Sequence, residues 1–420
     1  MGNLPSGWKE TTLGEVAEIK GGKRLPKGEV LILEKTSHPY IRITDIENNS
    51  IKKQQLQFIT EDIFKKISRY IVNEGDIVLS IVGTIGLVAK IDQELENANL
   101  TENCVKLTKL KELHNFYLYY YLISRNGQYE INKNTVGAVQ KKLPIYGVQN
   151  IKISLPPLPE QKAIADVLSS LDEKIELLQE ENKTLEELAQ TIFKEWFVNF
   201  NFPGATGEIE KSELGEFPKG WRVGKLGEEF DLSIGRTPPR KEQECFSEKP
   251  IGLKWASIKD MVNSGVYIFN TSEYITDDAI SKYNVPIIPE NTLLLSFKMT
   301  VGKLAITTEK MLSNEAIAHL KIIKDSKIFT EYLYLFLHNL DFNALGSTSS
   351  IVTAVNSKII KEIPFIVPDD ITACNFYEII KPVFAKLKNN SEQIQTLSKI
   401  KDNLLSKLLS GEIRVEGFGE

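Results

Sequence analysis

The sequence predicts an α+β protein built twice. Two similar globular domains are separated by two long antiparallel coiled-coil helices, and the halves form a pseudo-twofold internal repeat. Three observations carry that prediction. The stretch PSGWKETTLGEVAEIKGGKRLPK from Pro5 is echoed by PKGWRVGKLGEEFDLSIGRTPPR from Pro218, so that Gly7-Trp8 falls on Gly220-Trp221 and Leu13-Gly14 on Leu226-Gly227. The echo runs on at offsets between 212 and 216, through YIRITDI and WASIKDM, LSIVGTIG and LSFKMTVG, FYLYYYL and EYLYLFL. Each half then closes on an apolar stripe with alternating steps of four and three, the spacing of a coiled-coil seam.

In chain order, residues 1–158 read as the first globular domain. Its opening segment is taken as a strand, and DIVLSIVGTIGLVAKI as two strands joined by a tight Gly/Thr loop. NFYLYYYLISR reads as a short buried helix, and Pro156-Pro157 closes the domain. Residues 159–200 are the central helix, with a seam at Ile164, Leu168, Leu171, Ile175, Leu178, Asn182, Leu185, Ala189, Ile192 and Trp196. Residues 201–219, rich in Gly, Pro and Glu, read as a linker. The second domain, 220–369, repeats the first, with TLLLSFKMTVGKLAIT as its strand pair and TEYLYLFLHNL as its buried helix. Residues 370–420 form the C-terminal helix, whose seam is Phe376, Ile380, Val383, Leu387, Asn390, Ile394, Leu397, Leu404 and Leu408, with Lys401 as its exception. A helix of about 37 residues rises roughly 55 Å, enough to hold two domains apart. Asn182 and Asn390 interrupt the seams as register-fixing polar residues do, and Pro382 is a candidate kink.

Composition narrows the function. The apolar runs are too short and too glycine-rich to span a bilayer, so no membrane partner is expected. Cys104, Cys245 and Cys374 are far apart and odd in number, which suits a reducing cytoplasm and argues against disulfides or a zinc site. His38, His114, His319 and His338 have no ligand spacing, and no metal site is expected. The formal net charge of −5 is unevenly spread: residues 1–158 carry 21 basic and 17 acidic side chains, whereas residues 159–199 carry 4 and 10. The acidity therefore sits on the central helix and leaves room for a basic face elsewhere. No Walker loop, no Asn-Pro-Pro-aromatic or Asp-Pro-Pro-aromatic stretch and no Gly-rich cofactor loop occurs. No catalytic residue is assigned.

The segment SLPPLPEQKAIADVLSSLDEKI, preceded by GAVQKKL, and the doubled GW…LGE…G…P openings resemble the specificity subunit of Type I restriction–modification systems. The second helix departs from the pattern, starting VPDDITACNF without Pro-Glu-Gln. The resemblance implies a non-catalytic, prokaryotic cytoplasmic protein with two target-recognition domains. Each would read one half of a bipartite, asymmetric target in double-stranded DNA. The helices would set the gap between the halves and dock two methyltransferase subunits that methylate adenine, with ATP-driven restriction/translocase subunits completing the enzyme. No cofactor is implied for this chain; S-adenosylmethionine, ATP and Mg would belong to the partner subunits. The alternative is a coiled-coil scaffold, unconnected with DNA, whose two domains bind ligands or proteins.

Phosphates are held by Lys, Arg, Ser and Thr, and base edges are read by Arg, Lys, Asn and Gln. Loops that combine these with glycine give the candidate DNA contacts. In the first domain they are Lys20, Lys23, Arg24 and Lys27 of KGGKRLPK, where the glycines would let the backbone approach a ligand closely, together with Arg42, Thr84, Gln140, Lys141 and Lys142. In the second they are Arg236, Arg240, Lys241, Lys259, Lys298 and Thr300.

Overall fold

Apolar runs and turns alternate twice along the chain, and in the computed structural model they form a similar succession of elements twice. Described are residues 4–212, 215–323, 326–342, 356–415 and 417. The chain divides into two units, residues 1–175 with 397–420, and residues 176–396, so that each long helix contributes to both.

In the first unit the opening strand Lys9–Thr12 pairs antiparallel with Lys152–Leu155, the last strand before the central helix. The main sheet is antiparallel, in the order Glu18–Gly21, Cys104–Thr108, Ile77–Ser80, Val88–Lys90. Ile77–Ser80 is buried along its whole length, as a central strand covered on both faces must be. A second, three-stranded sheet holds Pro39–Ile41 between Gln57–Phe58 and Asn99–Leu100. The helix Asn115–Ile123 packs beside the main sheet, with Tyr117 and Tyr120 fully buried. Their hydroxyls stay satisfied, Tyr117 donating to the Ser154 carbonyl at 2.7 Å and Tyr120 to Asp172 at 2.7 Å.

The second unit repeats this plan. Arg222–Lys225 pairs with Pro364–Val367. The main sheet runs Phe230–Ile234, Ile317–Ile322, Leu293–Ser296, Leu304–Thr307, with Tyr267–Ile268 added in parallel at the edge. Helix Thr330–His338 takes the place of Asn115–Ile123, and its Tyr332 hydroxyl donates to the Ile366 carbonyl at 2.8 Å, matching Tyr117 on Ser154. Inside the expected linker, Ile209–Ser212 pairs antiparallel with Gly215–Pro218, and Phe217 is buried. One buried aromatic gives this segment a place on the core that its Gly/Glu composition hid.

The central helix spans Leu158–Phe197 and the C-terminal helix Asp370–Ser410. Pro159 sits in the first turn, where its missing N–H has no intrahelical partner to lose. Asp369 starts the second helix by accepting the Ile371 and Thr372 N–H groups, both at 3.0 Å. Gly411, at φ 72°, ends it. The helix is continuous through Pro382. Every seam position named above is buried or half-buried. In the first unit Ile164 and Leu168 share a core with Leu408 and Leu409. Lys401, the exception on the stripe, turns out to pair with Asp172 at 2.7 Å. In the second unit Phe197 and Trp196 lie 4.7 and 5.6 Å from the Phe376 ring, while Asn182 donates to Ser391 and Asn390 to Glu181. Within each unit the pairing is antiparallel.

Candidate nucleic-acid interface

The basic loops of the first unit converge on one end of its main sheet, tied by backbone hydrogen bonds. Gly22 N–H donates to the Cys104 carbonyl (3.0 Å) and Lys23 N–H to that of Leu100 (2.8 Å). Ile81 N–H donates to Asn103, Leu143 N–H to Ile81, and Thr101 N–H to Ile41. Lys142 bridges both Val82 and Val136. Four separated stretches, 22–27, 41–45, 81–86 and 136–142, thus meet around 100–103. Lys23, Arg24, Lys27, Thr84, Gln140, Lys141 and Lys142 are exposed on them.

The second unit repeats four of these bonds; the counterpart of 136–142 lies outside the described residues. Gly235 N–H donates to Ile317, Arg236 N–H to Ser313, Phe297 N–H to Ala316 and Asn314 N–H to Ala256. The tight loops are also built alike. The Ser80 hydroxyl donates to the Thr84 carbonyl and accepts Leu87 N–H, while Ser296 does the same with Thr300 and Lys303. Gly86 and Gly302 turn both loops at positive φ, 92° and 86°. Exposed around this focus are Arg236, Lys259, Lys298 and Thr300.

The glycines of the opening loop have a different role from the one expected. A Cβ on Gly22 would lie 2.0 Å from the Thr101 carbonyl oxygen, and one on Gly235 2.2 Å from that of Asn314. Both are glycine because the strand crosses its own neighbour's backbone, which is a packing requirement internal to the unit.

Several candidate cations are already engaged. Lys20 pairs with Glu18 at 3.0 Å. Arg42 is half-buried, gives Nε and Nη2 to Asp45 and Nη1 to Gln57, and caps a 3-10 turn with its backbone. Arg240 makes a two-pronged pair with Glu273 at 2.7 and 2.9 Å and lies over Phe246 and Trp255. Arg236 gives Nη1 to the Tyr283 and Asn284 carbonyls. Lys23 lies 5.7 Å from the Tyr70 ring and Lys298 5.5 Å from that of Phe297. Lys27, Lys141, Lys142, Lys241 and Lys259 have no ion pair among the described residues, so their charges face solvent.

At the focus of each cluster stands a carboxylate that residue-type reasoning passed over. Glu102 accepts Arg24 Nε at 2.6 Å and the Thr101 hydroxyl at 3.2 Å. Glu315 accepts the Thr237 hydroxyl. Burial pulls the Glu102 carboxyl up, but Arg24, its own backbone N–H and Thr101 outweigh that and hold it below the usual carboxylate range. The same balance holds Glu315 down, with Thr237 in place of Arg24. The two acids lie 213 residues apart, the offset of the repeat, and that alignment was the signal that could have found them.

The profile of the family described as Type I restriction modification DNA specificity domain matches residues 5–187 and again residues 218–399. The chain belongs to this family. It is a DNA specificity subunit of the Type I restriction–modification kind. The Type I restriction enzyme MjaIX specificity subunit of Methanocaldococcus jannaschii is 27% identical, over 99% of this chain and 96% of that protein. The HindI specificity subunit of Haemophilus influenzae is 22% identical, over 97% of this chain and 100% of its own. The crystal structure of the S subunit from M. genitalium shares the fold, with a TM-score of 0.60 at 18% identity and 97% coverage of both chains.

In this specificity subunit the Pro-Glu-Gln signature has a mechanical origin. Glu160 is fully buried, accepts Trp8 Nε1 at 3.1 Å, and takes both Nε and Nη2 of Arg414 at 2.8 Å. Gln161, also buried, donates to the Glu112 and Pro156 carbonyls and accepts His114 N–H. The motif thus locks the helix start to the opening Trp and to the loop before the buried helix.

Proposed function

We propose that the two loop clusters read the two halves of a bipartite, asymmetric target in double-stranded DNA, and that the paired helices set the gap and dock two methyltransferase subunits. Restriction/translocase subunits would complete the nuclease. Chemistry, with its S-adenosylmethionine, ATP and Mg, belongs to those partners, and this chain contributes recognition without catalysis in a prokaryotic cytoplasm. One observation carries the reading: the same backbone framework is built twice, yet it presents different side chains, Arg24 beside Glu102 in one unit and Thr237 beside Glu315 in the other. A common frame with diverged tips is what two unlike half-sites require.

The test is co-expression with a Type I methyltransferase subunit from the same host, followed by co-purification and methylome sequencing. The expected result is a stable complex and one split adenine-methylation motif whose gap changes when a heptad is inserted between Leu178 and Asn182. Loss of DNA affinity with rising salt should accompany it. A chain that binds no methyltransferase and leaves the methylome unchanged would overturn this division of labour between recognition and docking.

A further inference from the structure

The arginines of the two clusters differ in what they have left to give. Arg42 has all three guanidinium nitrogens bonded, Arg240 has both terminal nitrogens on Glu273, and Arg236 has one on main-chain carbonyls. Arg24 is held at Nε alone, by Glu102 at 2.6 Å, and its side chain is 80% exposed. Neither of its terminal nitrogens has a partner among the described residues. The loop beneath it is fixed by the Gly22 and Lys23 backbone bonds and by the Tyr40 hydroxyl, which donates to the Lys23 carbonyl at 2.7 Å. A guanidinium tethered through Nε on a rigid loop presents a planar two-pronged donor at low entropic cost. Its geometric match among base edges is guanine, whose O6 and N7 accept in parallel in the major groove.

We propose that Arg24, oriented by Glu102, is the guanine reader of the first recognition domain, with its two terminal nitrogens donating to O6 and N7 of one guanine. Glu102 is then a positioning residue. A carboxylate weakens binding to phosphates, and the role the geometry gives Glu102 is to hold Arg24 through Nε. In the second domain the position 213 residues on is Thr237, whose hydroxyl donates to the equivalent Glu315. A hydroxyl has no fork, so the second half-site has no guanine read from this position. The inference rests on the reading that these clusters meet DNA, and deepens it.

The experiment uses the full chain assembled with its methyltransferase subunits, with methylome sequencing and binding to a DNA pool randomised over both half-sites. In wild type, one half contains a guanine. Arg24→Ala should make that single position degenerate, with a roughly tenfold to hundredfold loss of discrimination, while the other half stays sharp. Arg24→Lys keeps the charge and loses the planar fork, and should weaken the guanine preference less than Arg24→Ala does, with an unchanged salt slope. Glu102→Ala should relax the same position and no other, and Glu102→Gln, which keeps an acceptor for Nε, should restore part of it. An unchanged motif in Arg24→Ala, or weakening that is equal across all sequences as for a phosphate contact, overturns the guanine assignment. A wild-type assembly with no sequence preference would sink the DNA reading itself, a result distinct from either.

Discussion

The two units fasten the same tryptophan in two ways. In the second, Trp221 donates to Asp369, which also caps the C-terminal helix and is only partly buried, and the ring is covered by Phe202 stacked at 5.2 Å. In the first, Trp8 donates to a fully buried Glu160, and that acid is met by the Arg414 guanidinium. An acid near solvent needs only hydrogen bonds. A buried one needs a counter-charge, because desolvating a lone carboxylate costs several kcal/mol. The absence of Pro-Glu-Gln from the second helix is therefore matched by the absence of an arginine to pair with it. The same joint has been solved once with a cap and an aromatic lid and once with a buried ion pair.

Arg414→Ala strands the Glu160 charge and should cost about 3–5 kcal/mol, read by urea denaturation as loss of the first unit alone. Adding Glu160→Gln should recover much of that loss; no recovery would mean that packing, not charge, holds the joint. His319 comes next. It occupies the strand position that Lys106 fills in the first unit, lies buried between Ser233 and Ser313, and is pushed down to about 3 by that burial. Its folded state resists a proton that the unfolded chain accepts near 6.5. Its contribution is thus fully present above pH 6.5 and is lost as pH falls toward 3, by up to about 1.4 kcal/mol per pH unit. The second unit should melt earlier than the first in acid, and His319→Gln should flatten that slope. Smallest is Asp369→Ala, which removes a cap and the Trp221 partner without burying a charge; about 1–2 kcal/mol is expected, confined to thermal melting of the second unit.

Much of this architecture could be read from the chain. The duplication, the seams and the strand–loop–strand segments are local or periodic signals, and they survive into the structure because apolar spacing decides which face is buried. Lys401 looked like a flaw in the stripe only because its partner Asp172 lies 229 positions away. The candidate site was legible as loops, but not as geometry. Whether a given arginine is available depends on residues such as Gln57 and Glu273, which no local pattern joins to Arg42 or Arg240. Glu102 and Glu315 carry no local signal, because an acid reads as unsuited to DNA, and Gly22 is demanded by a carbonyl of its own unit rather than by a ligand.

The Arg414–Glu160 pair has a further consequence for how the protein is made. Residues 397–415 belong to the first unit, so that unit lacks its last helical turns and its buried counter-charge until residue 414 has left the ribosome. The second unit takes both of its helical segments from residues 176–396, and can close earlier. Domains usually mature in the order of synthesis; here the unit that starts first is completed after the second, and synthesis halted between residues 396 and 414 would leave the second unit finished and the first unfinished.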